Sequence, residues 1–323
     1  MADTKGKNET KNTSMMHIAV KHIQRCFAQM HASKGVKEFG MRAIAAIFKE
    51  LTQLDSGAVP GKNQRVCIPI DPDTLTKEDM EQALGAVNLI EKKRNGDIKA
   101  RTCGNGSKQR LYLKEGESVA SPTLSVEGIM LTLLIAAYEG RKVITLDVPG
   151  AFLQAEMPDD KMILMKFTGK FVDYMCEVNQ DHIPNVRRNA RGTKVLYVRV
   201  MRALYGCIQS ALQWYKLFKE TLEGKGYVLN PYDLCVANKE INGKQATIAW
   251  YVDDCICTHV EQTVLDDIGN MLQKHFGKMD ATTGPKHSFL GINFTIRDDK
   301  KIEVEMKKPI QEAIDMFEKC GDM

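Results

Sequence analysis

Apolar positions along this chain change their spacing several times, and each change marks an element. From Gly40 to Leu54, the residues Met41, Ile44, Ala45, Phe48 and Leu51 recur at helical spacing and share one face. Met15–Met30 has the same periodicity, whereas residues 1–14 are polar and read as disordered. Asp55–Arg65 carries Gly and Pro and reads as a linker. Thr76 is placed to cap a helix reaching about Ile90, with Glu78 and Asp79 in its first turn. A helix over Ser125–Glu139 puts Ile129, Leu133 and Ala136 on one face, and Gly140 ends it. Gln209–Glu223 turns Leu212, Tyr215, Phe218 and Leu222 inward before Gly224 and Gly226 stop it. Val260–His275 and Pro309–Lys319 read as further helices.

Strand-like stretches lie between these helices. Lys92–Leu113 reads as strands and a loop, and a β-branched run ends at Asp147 before Pro149 and Gly150 break it. Lys161–Arg202 holds two apolar strands separated by a polar, basic excursion at Asn179–Thr193, read as a surface insertion. Lys286–Glu305 supplies more strands. Two apolar runs, Ala246–Trp250 and Cys255–Thr258, flank Tyr251-Val252-Asp253-Asp254, which reads as a hairpin with Asp253 and Asp254 at its tip. The mixture predicts an α+β fold.

That hairpin changes the picture chemically. Adjacent carboxylates at a tight turn repel unless a positive charge sits with them, and hard oxygen donors suit Mg²⁺. An Asx-rich turn is the plain alternative. Asp147 ends a different strand just before a break, either as a strand-end cap or as a second arm of the same site. Two-metal phosphoryl transfer needs carboxylates from separate strands, which Asp147 and Asp253 would provide.

Four blocks together resemble the reverse transcriptase of copia-type LTR retrotransposons, over about residues 40–321. They are Leu146-Asp147-Val148-Pro149-Gly150-Ala151-Phe152-Leu153, the stretch Ala203–Tyr215, Tyr251-Val252-Asp253-Asp254, and Phe289-Leu290-Gly291-Ile292 as a later palm strand. The resemblance implies a right-hand polymerase architecture: fingers and palm subdomains, an antiparallel palm sheet backed by helices, and a truncated thumb. The expected division is a tail at 1–14, a helical extension at 15–60, fingers at 61–141, palm at 142–306 and the start of a thumb or connection at 307–323. It implies RNA-directed DNA polymerisation with Asp147, Asp253 and Asp254 as catalytic carboxylates. These three and the backbone carbonyl of Val148 would hold two Mg²⁺, with Mn²⁺ as a substitute. Phe152 would be the aromatic that excludes a ribose 2′-hydroxyl; its other reading is a core residue at the start of a helix Phe152–Glu156. Tyr205, Gly206, Gln209 and Ser210 would line the nucleotide pocket, and Lys99 and Arg101 would reach the triphosphate. Ala211 stands where the family commonly has proline, and Thr102-Cys103-Gly104 departs from its usual apolar pair.

Charge and composition bear on partners. The formal net charge is only +4. Basic residues nevertheless gather in Glu91–Lys114, including Lys108 and Arg110, and in Arg187–Arg202, including Arg199 and Arg202. Such runs fit a template-primer groove, with Tyr251 beside it, or a solvated face. The partners the resemblance implies are an RNA or DNA template-primer and deoxynucleoside triphosphates, with RNase H and integrase elsewhere in a polyprotein. Nine cysteines, no secretory signal and no apolar run of membrane-spanning length point to reduced thiols inside the cell, with no membrane partner; the resemblance implies cytoplasmic virus-like particles and the nucleus. Two other functions are weighed: an inactive relic that binds nucleic acid without polymerising, and a palm-fold cyclase, which would need no template.

Overall fold

Why the chain forms these elements is clearest where a local signal and a tertiary one agree. The computed structural model describes residues 29–321, apart from 58, 60, 61, 63, 94, 114–117, 160 and 161. Most of the expected Met15–Met30 helix therefore lies outside the described residues. Its last positions fall instead in a strand, β1 (Gln29–His31). Helices α1 (Ala32–Phe39) and α2 (Met41–Ser56) follow, the second as the apolar spacing predicts, then β2 (Cys67–Pro69). Thr76 does cap a helix, α3 (Lys77–Gln82), through a reciprocal box with Asp79. The helix does not reach Ile90. Leu84–Lys92 is a strand, β3, because Val87 and Ile90 favour an extended backbone that finds pairing partners. A hairpin leads to β4 (Ile98–Gly104) and a 3₁₀ segment, Gly106–Tyr112.

Ser125 caps α4 (Val126–Glu139), and Gly140 closes it in the left-handed conformation at φ 66°. Next come β5 (Lys142–Asp147) and a single turn, α5 (Ala151–Gln154). The expected helix Phe152–Glu156 is thus shorter and begins earlier; Glu156 is drawn into a β-bridge with Arg202 instead. Strand β6 (Leu164–Thr168) pairs antiparallel with β8 (Lys194–Val200). After β6 comes α6 (Lys170–Val178), and the excursion Asn179–Thr193 that follows is not bare loop: it carries a 3₁₀ segment, Gln180–Asn185, and β7 (Arg187–Arg188). Then follow α7 (Ser210–Glu223), β9 (Val228–Leu229), β10 (Val236–Ile241), β11 (Lys244–Tyr251), β12 (Asp254–His259) and α8 (Gln262–Phe276). The chain continues with β13 (Asp280–Thr282), β14 (Lys286–Phe289), β15 (Ile292–Ile296), β16 (Ile302–Glu305) and α9 (Lys307–Gly321).

These elements fall into two units. One contains β1, the far half of β3, most of β4 and α9. There β1 pairs with β3 at Gln29–Glu91 through His31–Leu89, and Gly35 of α1 lies so close to Ile90 that an added Cβ would sit 2.6 Å from its side chain. The other unit spans Phe48–Val87 and Thr102–Val304. Its main sheet is antiparallel, in the order β13-β5-β12-β11-β10-β9. A second sheet joins β6, β8 and β2, with the start of β3 parallel to β6. Phe289-Leu290-Gly291-Ile292 is not a strand of the main sheet. It is the turn of a separate three-stranded sheet, β14-β15-β16, with Leu290 and Gly291 both at positive φ.

Burial explains the long apolar runs in β11 and β12. Ala246–Trp250 and Cys255–His259 are buried at every position, so both faces of the sheet are covered. Helix α4 contacts β11 and β12, and α8 packs on β5 and β12. Beneath the hairpin lies an aromatic cluster of Trp214, Phe218, Phe276 and Trp250, with ring centroids 5.2–5.5 Å apart. All four are essentially inaccessible. Among the described residues no helix is long and apolar enough to cross a membrane.

Truncating the centre of this cluster should be costly. Phe218→Ala should lose about 3–5 kcal/mol of unfolding free energy by urea titration. Leu131→Ala, at a position 57% exposed on α4, should stay within about 0.5 kcal/mol of wild type.

Candidate active site

The main sheet brings the predicted carboxylates together by register. Asp254, the first residue of β12, lies directly opposite Asp147, the last residue of β5. Opposed residues of an antiparallel pair share a face, so both carboxylates project from the same side. Ile144 and Leu146 alternate to the other face, where Ile144 approaches Gly269 of α8. Asp253 sits in the turn itself. Tyr251 and Asp254 pair, leaving a two-residue turn of Val252 and Asp253.

That turn is strained and clamped. Val252, but not Asp253, has positive φ, at 54°. Two-residue hairpins of this hand ordinarily place glycine there, and a β-branched residue costs on the order of 1–3 kcal/mol. Two bonds hold it from outside the hairpin. The Trp214 indole N–H donates to the Val252 carbonyl at 2.7 Å, and the Val148 N–H donates to the Asp253 carbonyl at 2.8 Å. Val148 is fully buried, so the residue after Asp147 is pinned to the residue before Asp254.

Electrostatics record the crowding. Burial, then the charges of Asp253 and Asp147, push the Asp254 carboxyl up to about 6. The donor set is all carboxylate and suits a hard divalent ion in its chemistry. Among the described residues, no three or more His, Cys, Asp or Glu side chains already stand at metal-holding spacing. Asp280, the first residue of β13, is a further acid here: it pairs with Asp147 on the side away from Asp254. Its sequence context, Met279-Asp280-Ala281-Thr282, carries no pattern that would have singled it out. Trp214 was equally silent as an anchor, because only the fold shows what its N–H reaches.

Phe152 of α5 and Tyr205 lie with ring centroids 4.7 Å apart. Gly206 follows at φ 89°, and an added Cβ would meet the Gly104 carbonyl oxygen at 2.0 Å. Gly106 in turn lies against the Gly206 carbonyl, and the Gly104 N–H donates to the Tyr205 carbonyl at 2.8 Å. Two backbones thus meet where neither tolerates a side chain. Gln209 is buried and accepts from Gln109 Nε2 at 3.3 Å. Ser210 is turned inward: its hydroxyl donates to the Leu204 carbonyl and accepts from the Leu204 N–H.

The remaining predicted residues scatter. Lys99 and Arg101 belong to the other unit, on β4, where Arg101 lies 3.8 Å from Glu91. Lys108 and Arg110 are exposed on the 3₁₀ segment, and Tyr251 is half-buried at the end of β11. Much of the basic run Arg187–Arg202 is matched within the chain. Arg187 pairs with Asp71 and Asp73, Lys194 with Asp173, and Arg199 with Asp159. Arg202 is buried, donating to the Gln154 carbonyl and to Glu156.

Comparison with known proteins follows the same residues. A family model described as "Reverse transcriptase (RNA-dependent DNA polymerase)" matches residues 84–321. The Retrovirus-related Pol polyprotein from transposon TNT 1-94 of Nicotiana tabacum is 25% identical over 236 residues, 71% of this chain. The chain spans only 16% of that polyprotein's length. A solved telomerase from Candida albicans, in complex with a telomeric RNA fragment, matches at 11% identity and a TM-score of 0.37, over 74% of this chain and 49% of that one.

Two outcomes follow from the geometry. The raised Asp254 pKa means that the folded state binds this proton more tightly than the unfolded chain. Its stabilising contribution is therefore full below about pH 4 and is lost as pH rises through about 6. In metal-free buffer, Asp254→Asn should remove that downward slope and be the more stable protein above pH 6, by urea midpoint. Gly206→Ala should lose several kcal/mol, about 3 or more, because neither its φ nor the Gly104 oxygen admits a methyl.

Proposed function

Because this chain belongs to the reverse transcriptase (RNA-dependent DNA polymerase) family, and to its copia type, we propose that it joins deoxynucleotides to a primer 3′-hydroxyl on an RNA template. The observation that carries this reading is the register that sets Asp254 against Asp147, with Asp253 in the adjoining strained and clamped turn. The antiparallel sheet bearing these residues serves as the palm of a right-hand polymerase, and the segments before it serve as fingers.

In this reading Asp147 and Asp253 are the principal ligands of two Mg²⁺ ions, with Asp254 beside them and the Val148 carbonyl as an added donor. Bound there, the ions supply activation of the attacking hydroxyl and neutralisation of the triphosphate. Everything else falls to the protein. Trp214 and Val148 hold the turn so that Asp253 stays aimed at the Asp147 strand. Asp254 keeps its proton to about pH 6 without a cation and gives it up when positive charge arrives. The Phe152 ring, supported by Tyr205, occupies the place of a ribose 2′-hydroxyl and so selects deoxynucleotides. Gly206 lets backbone approach the nucleotide, and Gln209 offers it hydrogen bonds. Lys108, Arg110 and Tyr251 are the candidate contacts to template-primer. The matched charges of Arg187–Arg202 make that run a poorer candidate. RNase H and integrase activities, and an intracellular site of action, belong to the larger polyprotein in this reading.

Primer extension on an RNA template with Mg²⁺ and deoxynucleotides tests it. Wild type should extend and Asp253→Asn should not, while its urea midpoint stays equal or rises. Extension that survives Asp253→Asn would sink the reading. Phe152→Ala should raise ribonucleotide incorporation by tenfold or more if the ring is a gate, on the order of 1.4 kcal/mol of discrimination. A loss of folding without altered sugar choice would make it a core residue.

A further inference from the structure

Gln109 has no part in the site as read so far, yet it decides which way Gln209 faces. It is buried on the 3₁₀ segment Gly106–Tyr112. Its Oε1 accepts from the Ile208 N–H at 3.1 Å, and its Nε2 donates to Gln209 Oε1 at 3.3 Å. These bonds are linked. A backbone N–H can only donate, so Gln109 must turn its oxygen to Ile208. Its NH₂ is then the end that meets Gln209, which must answer with oxygen. The orientation of a glutamine amide is ordinarily ambiguous, but here the backbone fixes both. The Gln209 NH₂ is consequently directed away from Gln109, and it does not cap α7. Among the described residues no acceptor meets it. Gln209 lies three residues after Gly206, on the loop whose Tyr205 rests against Phe152.

We propose that Gln109 is a positioning residue for the incoming deoxynucleoside triphosphate: it holds Gln209 with its two amide N–H donors facing the nucleotide. The proposal rests on the polymerase reading of this site. A nucleoside triphosphate presents phosphate and sugar-ring oxygens that accept and cannot donate; on the sugar only the 3′-hydroxyl does both. A reversed Gln209 amide would offer oxygen to oxygen. The Gln109–Ile208–Gln209 arrangement excludes that reversal before the nucleotide arrives, so no binding energy goes into setting it.

Two substitutions separate positioning from plain packing. Gln109→Glu still accepts from Ile208 but offers Gln209 only oxygen, so Gln209 must turn its NH₂ inward and its oxygen outward. Gln109→Met keeps the volume, removes both bonds and leaves Gln209 free to take either orientation. In primer extension with Mg²⁺, Gln109→Glu should raise KM for the deoxynucleotide about tenfold with kcat within about twofold. Gln109→Met should raise KM only about two- to threefold yet have the lower urea midpoint, since it orphans the Ile208 N–H. The KM order is thus opposite to the stability order, which a structural role alone would not produce. The rise in Gln109→Glu should persist at high salt, which screens simple repulsion of the triphosphate. KM values that follow stability, or a wild-type KM in Gln109→Glu, would overturn the proposal.

A second readout does not need turnover. In a sample labelled with ¹⁵N-glutamine, the Gln209 side-chain resonance is identified by its loss in Gln209→Glu. Adding dTTP with Mg²⁺ should shift it in wild type and shift it far less in Gln109→Glu. Equal shifts, or none in wild type, would overturn the role of Gln109. A wild-type shift without any extension would leave that role standing and fail the polymerase reading instead.

Discussion

A single turn, Val252-Asp253, is held against its own preference, and the candidate site is built around it. A β-branched residue at positive φ would relax if the hairpin stood alone. It does not relax because the Trp214 indole and the Val148 amide each take one of its carbonyls. Trp214 is itself immobilised among Phe218, Phe276 and Trp250. The aromatic core therefore does more than bury area. It supplies the rigid support that a strained functional backbone requires.

The sheet is covered on both faces along most of its length, and the carboxylates stand at the end where that cover stops. Asp147 is exposed while Ile144 and Leu146 are buried, and Asp254 is half-buried while Cys255 is fully enclosed. Partial burial raises the cost of charge, and the two neighbouring acids, Asp253 and Asp147, raise it further, which is why Asp254 holds its proton unusually well. Such a site is poised rather than satisfied. A cation relieves both costs at once, whereas Asp71, Asp173 and Asp159 are already matched by Arg187, Lys194 and Arg199.

Much of this was legible in the sequence. The hairpin is announced by two apolar runs around Tyr251-Val252-Asp253-Asp254, and α4 by Ser125 and Gly140, because those signals are local. Asp147 was legible as a strand end, but its register with Asp254 was not, since pairing depends on residues over a hundred positions apart. The same limit hid Asp280. The Thr76 helix was overextended because a capping box fixes where a helix starts and says nothing of where it stops. There Leu84–Lys92 followed tertiary pairing over helical spacing. The basic run Arg187–Arg202 looked like an open cationic surface; the acids that match it, from Asp71 to Asp173, come from distant parts of the chain. Gln109 carries no signature at all, since its importance lies in a bond to Ile208 that only folding creates.

The most direct test of the account is Mn²⁺ binding followed by electron paramagnetic resonance on the purified chain, without nucleotide or template. If Asp147, Asp253 and Asp254 form one cation site, wild type should bind Mn²⁺ more tightly as pH rises through about 6, and Asp147→Asn and Asp253→Asn should each weaken binding at least tenfold. Binding that is unaffected by both substitutions, or absent in a chain that is folded by urea titration, would contradict it.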